Sequence, residues 1–127
     1  MKLMTITLLL TTLAIAVPAV ASAAAAFRTP GRAAYCGLTE GEGPGALICW
    51  TPNDGFEIGM SPNGRPSHDY NRLDRRFYED EAPVLAFGRT WRFLGDYRCT
   101  SRRTGLTCRN RVGHGWWLGR YKGYRVF

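Results

Sequence analysis

The sequence predicts a small, mainly β domain, internally duplicated, built from antiparallel hairpins in a sandwich-like or barrel-like arrangement and held by two disulfides. Three observations predict it. Four cysteines fall into two pairs of near neighbours, Cys36 with Cys49 and Cys99 with Cys108. Apolar and polar residues alternate around each pair, which is the period of a half-buried strand. The surroundings of one pair repeat those of the other, so one hairpin unit is read twice. With 127 residues, the chain has room for one modest core and no second.

The first 23 residues stand apart from this domain. A lone Lys2 precedes an apolar run from Leu3 to Val17, followed by Pro18 and an Ala-rich stretch in which Ala21-Ser22-Ala23 offers a small-residue cleavage site. That order is the pattern of a secretory signal peptide, and the run is shorter than the roughly 20 apolar residues a spanning helix needs. Residues 1–23 are expected to be removed, leaving 24–127 as one secreted or periplasmic domain with no further segment able to span a bilayer.

An even number of cysteines in a small exported domain predicts disulfides. Four cysteines allow three pairings, and loop closure favours the local one, Cys36–Cys49 and Cys99–Cys108, because each pair brackets a turn-rich stretch. Zinc is the competing use of these residues. The spacings lack the close Cys pair of a zinc knuckle, and neither His68 nor His114 is grouped with them, so no metal or cofactor is expected.

Along the chain, the first unit covers about 27–60 and the second about 88–127, with a polar linker at 61–87. Ala46-Leu47-Ile48-Cys49 matches Gly105-Leu106-Thr107-Cys108, and Gly55-Phe56-Glu57-Ile58-Gly59 matches Gly115-Trp116-Trp117-Leu118-Gly119. The step from the second cysteine to the glycine is six residues in one copy and seven in the other. Leu47 and Cys49 alternate with Ile48 and Trp50. Trp91 and Phe93, then Tyr97 and Cys99, alternate around a Leu94-Gly95-Asp96 turn. Gly37 to Gly45 and Ser101 to Gly105 read as connecting turns. At the end of the chain, Tyr124 and Val126 fall on one face and Arg125 and Phe127 on the other. Seven or eight short strands are expected. In the linker, Tyr70, Leu73 and Phe77 sit at helical spacing behind Asp69, which predicts one short helix over Asp69 to Tyr78.

Charge is unevenly spread. Without Lys2 the chain carries 16 basic against 10 acidic residues, and all the basic residues but Lys122 are Arg. Residues 27–87 sum to −3, whereas 88–127 carry nine Arg and Lys122 against Asp96, a sum of +9. Such a field attracts anionic envelope polymers, lipid headgroups or nucleic acid through salt-sensitive contacts. The plainer reading is a soluble basic surface with no specific ligand.

The run Val84-Leu85-Ala86-Phe87-Gly88, then Tyr97-Arg98-Cys99, Gly105-Leu106-Thr107-Cys108 and Gly113-His114-Gly115-Trp116, resembles a family of small secreted bacterial domains of unknown function, common in actinobacteria. The opening Phe27-Arg28-Thr29-Pro30-Gly31 before Cys36 is similar to the start of that family, while the charged stretch Asp69 to Ala82 departs from it. The resemblance implies export, two disulfides and a single β-rich domain. It brings no established activity with it, and therefore no catalytic residues to carry over.

Several residues carry candidate chemistry. His114, between two glycines, suits a general base or anion donor, but Asp54-Gly55-Phe56 at the matching place favours a turn role. His68, His114 and Lys122 together make the set a ribonuclease needs, two imidazoles for proton transfer and a cation for the phosphorane. No motif fixes their mutual geometry. The acidic run Glu79-Asp80-Glu81 has consecutive side chains pointing different ways, which suits a solvated face better than a glycosidase pair. Ser61, Ser67 and Ser101 lack a nucleophile-elbow setting. The strongest binding candidate is Trp117 with Arg109, Arg111, Arg120 and Lys122: Trp116 and Trp117 face opposite sides of a strand, and Trp117, matched to Glu57, is the outward one. The favoured expectation is a non-catalytic binding or envelope-associated module for an anionic polymer or carbohydrate. The alternative is the secreted ribonuclease, and an effector acting on a protein partner is a third class.

Overall fold

The computed structural model describes Ala14 and residues 24–39, 45–70 and 82–127. The expected leader, apart from Ala14, lies outside the described residues, as does the Glu79-Asp80-Glu81 run. Ten strands among the described residues form two five-stranded antiparallel sheets. The first follows chain order: β1 (Ala26–Arg28), β2 (Tyr35–Leu38), β3 (Leu47–Thr51), β4 (Phe56–Met60) and β5 (Ser67–Tyr70). The second repeats that path with β6 (Thr90–Phe93), β7 (Tyr97–Arg102), β8 (Gly105–Asn110), β9 (Gly115–Gly119) and β10 (Tyr124–Val126). The described helix content is one 3-10 turn, Pro30–Arg32, and no described helix is long and apolar enough to cross a membrane.

The disulfides follow from the pleat. Cys36 lies directly opposite Cys49 on β2 and β3, and Cys99 opposite Cys108 on β7 and β8, each pair with Cα atoms 4.1 Å apart. All four thiols are consumed, which removes the ligands that zinc would need. Period-two alternation carries the cysteine row across each sheet. Phe27, Cys36, Cys49 and Ile58 are in cross-strand register in the first sheet. Trp91, Cys99, Cys108 and Trp116 occupy the corresponding places in the second. Both rows are buried and pack into one core, with the Phe27 and Trp91 rings 5.0 Å apart.

This register corrects the alignment of the two copies. Ile58 and Trp116 each face the second cysteine of their pair, so Phe56 corresponds to His114 and not to Trp116. The slip is two residues. A one-residue slip would have turned every side chain over, whereas two residues preserve the face. Phe56, Ile58, Trp116 and Leu118 are accordingly all buried, as expected from the sequence.

Three further expectations change. Gly37 and Leu38 belong to β2 rather than to a turn, because they pair with Ile48 and Leu47. The sequence assigned no strand to β1 or β5. Asp69 and Tyr70, taken as a helix start, are the end of β5, paired with Glu57 and Phe56; the rest of that predicted helix lies outside the described residues.

Polar contacts join the sheets where apolar packing ends. The buried Tyr97 hydroxyl donates to the carbonyls of Gly45 and Met60 at 2.7 and 3.2 Å. The Asn110 amide donates to Ser61 and Gly64 carbonyls at 3.0 and 2.8 Å. The Trp91 indole donates to the Ala24 carbonyl at 2.8 Å. Val84 forms a parallel bridge with Arg28, so the segment entering the second sheet partly covers the free edge of β1.

Candidate functional site

Since Trp91, Phe93, Tyr97, Cys99, Cys108 and Asn110 point inward, their neighbours Arg92, Arg98 and Arg109 must point out. The register then sets these three arginines side by side: Arg92 opposite Arg98, and Arg98 opposite Arg109. All three are exposed and form no ion pair among the described residues. A second outward row runs Thr90, Thr100, Thr107, Trp117 and Arg125. The Thr90 and Thr100 hydroxyls are 3.0 Å apart.

Glycines give Trp117 its seat. Its indole lies so close to Gly105 and Gly119 that a Cβ there would sit 2.8 Å from Nε1 and 3.0 Å from Cη2. Arg125 lies over the ring, its guanidinium carbon 4.8 Å from the centroid. The same device recurs across this half of the molecule. Arg109 lies 4.5 Å over Phe127, and Arg120 lies 4.9 Å from Phe87 and 5.2 Å from Tyr121. Stacking fixes a guanidinium through its flat face while its in-plane N–H groups remain available to an anion. These arginines are therefore held by rings, and none of them pairs with a carboxylate among the described residues.

The five residues expected to carry contact are only partly together. Arg109 and Trp117 share the outer face of the second sheet. Arg111 lies in the β8–β9 turn, bound to Asn63 at 2.6 Å and to Asp96 at 3.4 Å, which occupies its charge. Arg120 and Lys122 lie beyond the far end of β9. Trp117 is outward and half-buried, as expected from the sequence, and Arg125 rests over its ring. Arg92 and Arg98 were missed. Their signal was present as arginines alternating with inward aromatic and cysteine residues on two strands.

The histidines are placed separately. His68, on β5, has its Nε2 3.2 Å from the Tyr124 hydroxyl and its ring 5.5 Å from Phe56. His114 closes the β8–β9 turn, its backbone N–H donating to the Asn110 side chain at 3.0 Å, just after Gly113 with φ of +91°. No hydrogen bond or ring contact among the described residues joins His68, His114 or Lys122 to one another. Among the described residues no cluster of His, Cys, Asp or Glu is arranged to hold a metal.

No curated protein and no solved structure matches the chain significantly. The opening Phe27–Gly31 similarity falls outside the part that a family model recognises, whereas most of β3, all of β4 and β5 and the entire second sheet fall inside it. That model, of a family of unknown function (DUF6636), matches residues 48–126, and the chain belongs to this family.

Proposed function

We propose that the protein is an exported, non-catalytic binding module that holds an anionic envelope polymer or carbohydrate on the outer face of its second sheet. The observation that carries this reading is a broad exposed sheet face whose arginines rest on aromatic rings, Arg109 on Phe127 and Arg125 on Trp117, without carboxylate partners among the described residues. Rings that pre-position cations lower the entropy cost of holding an anion. Export is supported by the leader-like opening of the sequence and by two buried disulfides, which persist outside the cytosol.

The test is retention of the oxidised protein on a panel of anionic and neutral envelope polymers and on RNA, at low and physiological salt, with RNA integrity followed in the same samples. The expected result is binding to anionic polymers that weakens with salt, leaves RNA intact, and falls several-fold in Trp117→Ala as Arg125 loses its support. RNA cleavage abolished by His114→Ala would replace this reading with the hydrolase.

A further inference from the structure

We propose that the row Arg92, Arg98 and Arg109 is the primary subsite of this face, and that its ligand is a polysaccharide bearing a carboxylate on successive sugar rings and lying across the strands. The inference rests on the binding-module reading and names its ligand class.

The row is costly for the fold on its own. Like charges directly opposite each other on neighbouring strands repel, and here two such pairs are consecutive. Asp96, the one acidic residue beside the row among the described residues, is engaged by Arg111. An open, shallow groove runs along these residues, lined by Arg92, Arg98, Arg109 and Arg111 together with Asp96. Three guanidiniums with no carboxylate partner among the described residues, side by side in one open groove, form an arrangement that an anion with several charges would complete.

Spacing selects the anion. Neighbouring strands lie roughly 5 Å apart, so the row repeats its charge at about the length of one sugar ring. A guanidinium fork matches a planar carboxylate with two parallel hydrogen bonds. Beside the row, the hydroxyls of Thr90, Thr100 and Thr107 supply the neutral donors and acceptors that sugar hydroxyls need. Single-stranded nucleic acid would require open aromatic platforms for its bases. On this face Trp117 and Phe127 already carry Arg125 and Arg109, so such platforms are taken.

The experiment is titration of the oxidised protein with galacturonic acid oligomers of increasing length, their methyl esters, and single-stranded polyuridylate. Affinity is expected to climb until three rings are present, one per arginine, and then level off, and to vanish on esterification. Arg98→Gln should weaken the oligomers at least about tenfold at low salt, while Arg65→Gln, near the first sheet, should leave them unchanged. Equal affinity in wild type and Arg98→Gln, with loss in Arg125→Gln, would overturn the row and keep the face. Tighter binding of polyuridylate would overturn the polysaccharide. Absence of binding to any anionic polymer would overturn both readings together.

Discussion

Tyr97 enters from β7 with its ring in the core and its hydroxyl between the carbonyls of Gly45 and Met60. Burial pushes its phenol above the ordinary value of 10.0, with Asp96 adding to the rise while a backbone hydrogen bond at Leu47 and the Arg111 charge oppose it. The folded state therefore keeps this proton at a pH where the unfolded chain has released it. Stabilisation from Tyr97 is complete below pH 10 and is lost as pH rises from there through the folded pKa. Tyr97→Phe should cost about 1–2 kcal/mol at neutral pH, because the two carbonyls lose their donor. It should also flatten the decline of stability above pH 10, as read from urea midpoints at stepped pH. A variant with the wild-type decline would show that another group governs the alkaline limit. Asn110 works in a similar way, with its amide reaching the first sheet while its carbonyl oxygen accepts the Val112 and His114 N–H groups of the adjoining turn.

Strands differ in how plainly their residues announce them. In β4, β7, β8 and β9 every second residue is buried, so alternation alone locates them and assigns their faces, whereas β3 buries Leu47 and Cys49 on one face and Trp50, packed with Tyr35, on the other. In β1 a single residue, Phe27, is buried, and in β5 none is, so neither has a periodic signal. They become strands by pairing with β2 and β4. Pairing also explains the missed arginine row: the alternation of Arg92, Arg98 and Arg109 is local, but their adjacency requires the register of three strands. The bonds of Tyr97 and Asn110 are less visible still, since their partners lie 37 to 52 residues away in the chain. The disulfides were legible because each closes a short hairpin, Cys36 to Cys49 over a separation of 13 residues and Cys99 to Cys108 over 9. Each restricts the unfolded chain and should stabilise the fold by roughly 3 kcal/mol. Replacing Cys99 and Cys108 together by Ala should lower the urea midpoint accordingly while leaving the β-sheet circular dichroism signal at low temperature. An unchanged midpoint would mean that the second sheet is held by its core alone.

At the scale of the whole molecule, charge is divided between the sheets. The described part of the first sheet's segment carries Arg28, Arg32 and Arg65 against Asp54, Glu57 and Asp69, a balanced set. The segment 88–127 sums to +9. Five of its arginines, Arg92, Arg98, Arg102, Arg109 and Arg125, lie on strands of this sheet, and Arg92, Arg98 and Arg109 lie on neighbouring ones within a Debye length of each other, so their repulsion acts on the folded sheet and relaxes when the chain expands. Added salt should therefore stabilise this protein. Like-charge cross-strand pairs cost about 0.2–1 kcal/mol each in general, less where solvent screens them, and 1 kcal/mol corresponds to roughly 4–8 °C in a domain of this size. The melting temperature is expected to rise by a few degrees between low and moderate sodium chloride, and Arg98→Gln, which removes the shared member of both pairs, should start higher and rise less. Chloride is chosen because it screens without filling a site built for carboxylates. If wild type and Arg98→Gln rise in parallel, the row is not a centre of repulsion, and the strain that an anionic ligand would relieve lies elsewhere on the sheet.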